Sequence, residues 1–201
     1  MADTSGGGLA PAPVPSGASL SPPSNSELDF CAENEFVTIV PAVRLPRMNL
    51  VTGTIGPLHP QRETLVPLWL ALMLKRAGRA RIRPPEWLTE DALRLYLKAE
   101  IASSAFSPLP FRYLEISQLI LQAAPDDVPG ATKIRALIED LRGRRAAKIR
   151  RGVASVVSTD VLISLSNMSA IEVNELRPQL LQALHVVNSL EKSSRVADDA
   201  G

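Results

Sequence analysis

Apolar positions change rhythm part-way along the chain. Over residues 26–84 the pattern switches every few positions, whereas over residues 85–192 apolar side chains recur at helical spacing. Ser26 is expected to cap a short helix through Asn34, with Glu27 and Asp29 at its positive end and Leu28, Phe30 and Cys31 as its apolar face. Phe36-Val37-Thr38-Ile39-Val40, rich in β-branched residues and stopped by Pro41, predicts a strand. Met48 to Ile55 predicts a second strand, broken by Gly53 and then Gly56-Pro57. Pro67 suits the first turn of a helix over Leu68 to Lys75, with Gly78 as its stop. Arg79 to Arg83 returns as a short edge strand.

Pro84-Pro85 stiffens the chain and disfavours helix before it, which marks a boundary. Beyond it the pattern is helical. Thr89 caps a helix carrying Leu93, Leu95, Tyr96 and Leu97, and a second helix is expected over Phe111 to Ala124. A long helix begins near Ala131 and carries Ile134, Leu137, Ile138, Leu141, Ile149 and Val153, with its end unfixed among Val156, Val157, Val161 and Ile163. Ser169 and Glu172 form a capping box. Pro178 is expected to end that short helix and open a last one with Leu180, Leu181, Leu184, Val187 and Leu190. The expected fold class is α+β: a small β-containing N-terminal domain (26–84), then a larger all-α helical bundle domain (85–192), with a disordered tail (1–25) before and a flexible C-terminus (193–201) after.

The tail reading comes from composition, since Pro, Gly and Ser fill 14 of the first 25 positions and Asp3 is the lone charge. Such a stretch buries too little apolar surface to offset its ordering entropy. Ser21-Pro22 fits a proline-directed phosphorylation site, but chance is the better account in so Ser- and Pro-rich a segment. No basic and apolar leader precedes Ser26, and the longest apolar run, Leu65 to Leu74 around Pro67, is about half a bilayer span. The expectation is a soluble, intracellular protein without a membrane segment.

A net charge of +1 argues against coating nucleic acid by bulk charge, and 4% aromatics is thin for a base-stacking platform. The single cysteine, Cys31, excludes an internal disulfide framework, and His59 and His185 leave little for a metal centre. Cys31 reads as a small core residue, His185 as half-buried between apolar neighbours, and His59 as a loop residue. Gly6-Gly7-Gly8 lacks the strand and the Lys-Ser/Thr of a phosphate loop. Asp126-Asp127 would suit a metal-dependent hydrolase, but carboxylates at a helix start are ordinarily caps. Neither a cofactor nor a metal is expected, and no catalytic residue is assigned.

The most basic stretch, residues 142–151, has six cations and no acid. Helical phasing spreads them: Arg145 falls on the face of Leu141 and Ile149 with Lys148 beside it, Arg144 and Arg151 form one flank, and Arg142 and Arg150 lie opposite. A cation in an apolar stripe needs a carboxylate or carbonyl, so Arg145 and Lys148 are expected to pair with acids in this chain or on a partner. A DNA-binding module built on 142–151 is the alternative reading. A second cluster, Lys75-Arg76, Arg79, Arg81 and Arg83, reads as a helix C-terminus followed by a solvated edge. What remains is apolar surface in excess: about 60 residues cannot readily bury Trp69, Leu70, Leu72, Met73, Leu74 and two strands. Surfaces completed by other chains are expected.

The words Val37-Thr38-Ile39-Val40-Pro41, Gly56-Pro57, Val66-Pro67-Leu68-Trp69-Leu70-Ala71 and Pro84-Pro85-Glu86-Trp87-Leu88 come in that order. They are followed by Phe106-Ser107-Pro108-Leu109-Pro110 with Tyr113, Ile134-Arg135, Asp140, Arg145-Ala146-Ala147-Lys148-Ile149-Arg150 and Leu165 to Asn174. In this order, from about Glu27 to Leu190, the chain resembles the family of second PSF subunits of the eukaryotic GINS complex. The resemblance implies a nuclear, non-catalytic subunit of a heterotetramer with three paralogous subunits. It also implies that this tetramer joins the MCM helicase ring, a RecJ-like cell-division-cycle partner and the leading-strand DNA polymerase, with at most indirect or weak DNA contact. Members usually begin close to the first helix, so the tail departs from the pattern, and residues 151–165 match poorly. Candidates for partner contact are Tyr113, Ile116, Leu119 and Ile120 on one helix and Leu141, Arg145, Lys148 and Ile149 on the long one. Trp69, Pro84, Pro85 and Trp87 are assigned structural roles.

Overall fold

A computed structural model describes residues 22–50, 53–158, 166–182 and 185. Most of the expected tail, Val161 and Ile163, the Leu184, Val187 and Leu190 repeat and the expected flexible end lie outside the described residues. Helix α1 spans Asn25–Ala32, and its cap stands slightly earlier than the sequence suggests. Ser24, not Ser26, closes a capping box with Glu27, because only Ser24 stands three residues before a glutamate. Its buried face is Leu28 and Ala32; Phe30 and Cys31 are exposed, contrary to the expected face, since a four-residue step returns to the same side of a helix and a two- or three-residue step from Leu28 does not here.

Strand β1 (Phe36–Pro41) alternates, with Val37, Ile39 and Pro41 buried. It is the centre of a three-stranded antiparallel sheet between β4 (Thr64–Pro67) and β5 (Ala80–Arg83). In register, Val37 faces Val66 and Ile39 faces Ile82. The stretch expected as one strand over Met48 to Ile55 is a hairpin instead, β2 (Met48–Leu50) against β3 (Gly53–Ile55). Gly53, at φ 135°, supplies the backbone turn that a β-branched neighbour resists. Strand β4 was hidden inside the apolar run, and Pro67 ends it and caps helix α2 (Leu68–Arg76) with no intervening loop. The helix start has no side-chain cap; the Leu68 and Trp69 N–H groups donate to the Glu35 and Glu33 carbonyls at 2.8 and 3.0 Å. Gly78, at φ 66°, follows the helix end as expected.

The helical part comprises α3 (Glu90–Ala102), α4 (Tyr113–Ala123), a 3-10 turn over Pro125–Asp127, α5 (Ala131–Ser158) and a helix α6 over 170–182. Thr89 caps α3 as read, accepting from the Ala92 N–H. Helix α6 runs through Pro178 rather than ending there. One missing N–H is outweighed by a first turn that is tied down and by the burial of Leu176. One apolar core runs from Val37, Ile39 and Leu70 through Leu88 and Leu93 to Tyr113, Ile120 and Leu141, so α2 of the small part is covered partly by α4 of this same chain. Trp69 and Trp87 pack half-buried against this core, and Pro84 and Pro85 are half-buried between β5 and α3.

Candidate functional site

Arg145 occupies the middle of α5 with no solvent exposure. Its Nε donates to Glu172 Oε1 at 2.7 Å and its Nη2 to Glu172 Oε2 at 2.8 Å, a two-pronged pair. Nη2 also donates to the Asn167 carbonyl at 2.6 Å, and Nη1 to Glu100 Oε2 and the Ser107 carbonyl, both at 3.3 Å. The guanidinium stacks 4.9 Å from the Phe106 ring centroid. Burial works against its charge, and the Glu172 hydrogen bonds, with the charges of Glu172 and Glu100, more than offset it.

Glu100, also buried, is the second anchor. Lys148 Nζ donates to its Oε1 at 2.6 Å, and the Ser107 hydroxyl and N–H donate to Oε2 at 2.6 and 2.9 Å. Burial pushes the Glu100 carboxyl up, but those donors and the Arg145 charge prevail and hold it below the usual carboxylate range. Glu172 in turn accepts the Ser169 N–H at 2.8 Å, and its own N–H donates to Ser169 Oγ, which is the capping box expected for this helix. The expectation that Arg145 and Lys148 meet acids therefore resolves inside the chain. The acids themselves went unnoticed as partners. Glu100 follows Leu93 by seven residues, on the same side of α3, so an acid in one apolar stripe was the counterpart of the cation in another.

The residues proposed for partner contact divide accordingly. Tyr113, Ile120, Leu141 and Arg145 are fully buried in this chain's own interior, and Ile116 is nearly so. Their faces are covered by α1, α2 and α3 of the same chain, with Glu172 of α6 over Arg145. Leu119, Lys148 and Ile149 are half-buried. Burial pushes the Tyr113 hydroxyl up, and the Glu172 charge adds to it. The basic stretch is not one face: Arg142 pairs with Glu175 at 3.1 Å, Arg145 and Lys148 turn inward, and Arg144, Arg150 and Arg151 are left at the surface.

Asp126 and Asp127 do not cap α5. They reach back to the N-terminal part, where Lys75 Nζ of α2 pairs with them at 2.7 and 2.8 Å and the Ile82 N–H of β5 donates to Asp127 Oδ2 at 2.8 Å. An edge strand's free N–H thus receives a carboxylate from the helical part, a contact across 45 residues that local pattern does not reveal. In the second basic cluster Arg83 pairs with Glu63, while Arg79 and Arg81 are exposed. Among the described residues, no group of three or more His, Cys, Asp and Glu could hold a metal, and no helix is long and apolar enough to cross a membrane. His59 is half-buried as a loop residue, whereas His185 is exposed rather than half-buried.

The surface that stays open is apolar and lies elsewhere. Phe36 and Leu65 share the outer face of the sheet at 62% and 60% exposure. Leu95 and Ile101 stand out from α3 at 69% and 61%. Phe111, Val173 and Leu181 rim a groove beside α6.

Two families match this sequence in succession. The one described as PSF2 N-terminal domain covers residues 24–83, and the one described as GINS complex protein helical bundle domain covers residues 87–183. The DNA replication complex GINS protein psf2 of Schizosaccharomyces pombe is 39% identical over 155 residues, which is 77% of this chain and 84% of that protein. The chain belongs to the PSF2 family of GINS proteins. The human PSF2 protein is 36% identical over 162 residues, 80% of this chain and 88% of its own length, and that of Candida albicans is 37% identical over 167 residues, 82% and 81%. In this PSF2-family chain the two domain matches meet across Pro84, Pro85 and Glu86, between β5 and the turn that opens α3. Glu100, Arg145 and Glu172 all fall within the helical-bundle match.

Proposed function

We propose that the chain is a non-catalytic structural subunit of the heterotetrameric GINS complex and serves DNA replication in the nucleus. Membership of the PSF2 family implies other GINS subunits as partners. The observation that carries the structural role is apolar: Phe36, Leu65, Leu95 and Ile101, each at least 60% exposed, sit on elements whose other faces are packed to near-zero exposure. Singly exposed apolar residues are ordinary, but Phe36 and Leu65 together on one sheet face suit a permanent protein contact, with Leu95 and Ile101 adding exposed apolar positions on α3. The reading extends to a tetramer that joins the MCM ring, its RecJ-like partner and the leading-strand polymerase, with DNA contact indirect or weak, and uses no cofactor.

Size-exclusion chromatography of the chain with and without its three candidate paralogues tests this. Co-migration as a stoichiometric tetramer is expected, and Leu95→Asp should weaken it while circular dichroism stays unchanged. A stable monomer at micromolar concentration that ignores all three paralogues would overturn the proposal.

A further inference from the structure

Beside α6 lies a groove of about 400 Å³, lined by Pro23, Phe111, Val173, Leu180 and Leu181 and floored by the buried Leu176. Its walls contain two buried polar atoms with no hydrogen-bond partner among the described residues, the donor Arg112 Nη1 and the acceptor Asn174 Oδ1. One of each kind, flanking an apolar trough, is the complement of a peptide group lying along it. The chain itself enters here. Asn174 Nδ2 donates to the Pro23 carbonyl at 2.8 Å, which fixes the point where residues 1–21 join the described structure at one end of the groove.

We propose that this groove seats the chain's own N-terminal segment, residues 17–21, with Leu20 as its apolar anchor. Length permits it: from Asn174 to Leu181 the helix rises about 10 Å, which three or four extended residues span. Leu20, three residues from Pro23, then falls beside Leu181 at the far end of the trough. Pro22 and Pro23 hold the entering backbone extended and restrict Ser21 likewise, so little entropy is left to lose on docking. Without charges of its own, Gly17-Ala18-Ser19-Leu20-Ser21 presents backbone N–H and C=O groups, two serine hydroxyls and one large apolar side chain, which suit the acceptor Asn174 Oδ1, the donor Arg112 Nη1 and the Phe111–Leu181 rim. The inference does not depend on the assembly proposed above, because every group in it belongs to one chain.

The test uses the full chain co-purified with its paralogues, with Cys31→Ser removing the exposed native thiol. Leu20→Cys with Leu181→Cys should form an intrachain disulfide under mild oxidation, and Asp3→Cys with Leu181→Cys should not. In the otherwise native chain, Leu20→Asp, a change in the segment alone, should speed hydrogen exchange of amides near 19–24 on the order of tenfold. The proposal is overturned if the two cysteine pairs cross-link equally, if the thiol introduced by Leu181→Cys is captured by another subunit instead, or if Leu20→Asp leaves exchange unchanged.

Discussion

Replacing Arg145 by alanine is the sharpest probe of the interior. The variant strips Glu172 of two charged hydrogen bonds and Glu100 of one, in a site with no solvent exposure at the guanidinium. Removing one partner of a buried pair ordinarily costs about 3–5 kcal/mol. Here Glu172 keeps the Ser169 N–H, and Glu100 keeps Lys148 and Ser107, so the loss should fall at the lower end, about 3 kcal/mol. That corresponds to a urea midpoint lower by about 1–2 M. The assay is pulse proteolysis in urea on the co-purified complex, following this chain's own band. Arg150→Ala, five residues along on the exposed side, should stay within about 0.5 kcal/mol. Arg145→Met combined with Glu172→Gln removes both charges and keeps a side chain able to cap, so it should recover more than half of the loss. Equal midpoints for Arg145→Ala and Arg150→Ala would refute the reasoning, because only a helix turned otherwise could treat them alike.

Burial raises the Glu115 carboxyl above its usual value despite the Arg112 charge nearby, and neither oxygen has a hydrogen-bond partner among the described residues. The native state therefore holds this proton more tightly than the unfolded chain, so stability is greatest below the free carboxylate pKa of about 4.3 and falls as pH rises toward the native value. Glu115→Gln should raise the urea midpoint near neutral pH and leave it unchanged near pH 4, about the unfolded pKa; the opposite order would contradict the assignment. Asp127→Ala should cost about 1–3 kcal/mol by orphaning the Ile82 N–H, whereas exposed Asp126→Ala should change the melting temperature little. Trp69, half-buried rather than enclosed, should lose less than about 3 kcal/mol on change to alanine, measured by the same unfolding assay.

Legibility in the sequence followed the range of the interaction. Gly78, the Thr89 cap and the Ser169-Glu172 box depend on neighbours within a turn, and each stands where the residues place it. Helical phasing also put Arg145 inward before any partner was known. Contacts between distant residues escaped: the reach of Asp127 to Ile82, and the choice of Glu100 and Glu172 as counter-ions, needed the fold. Strand β4 was missed because strand and helix share one apolar run, and only Pro67 divides them. The greater part of the apolar excess ascribed to missing partners proved to be covered by α4 and α3 of the chain itself, leaving a smaller open surface than composition suggests.

Glu172 serves two masters, its own helix's first turn and a guanidinium 27 residues upstream. Helix ends are usually where a fold loosens first, one residue at a time. Here, unravelling that turn would leave Arg145 facing Phe106 and Tyr113 with half its counter-charge gone, and Glu100 would feel the change through the same cation. Three helices are thereby clasped at one knot, so a break at the start of α6 is expected to cost the ties of all three together.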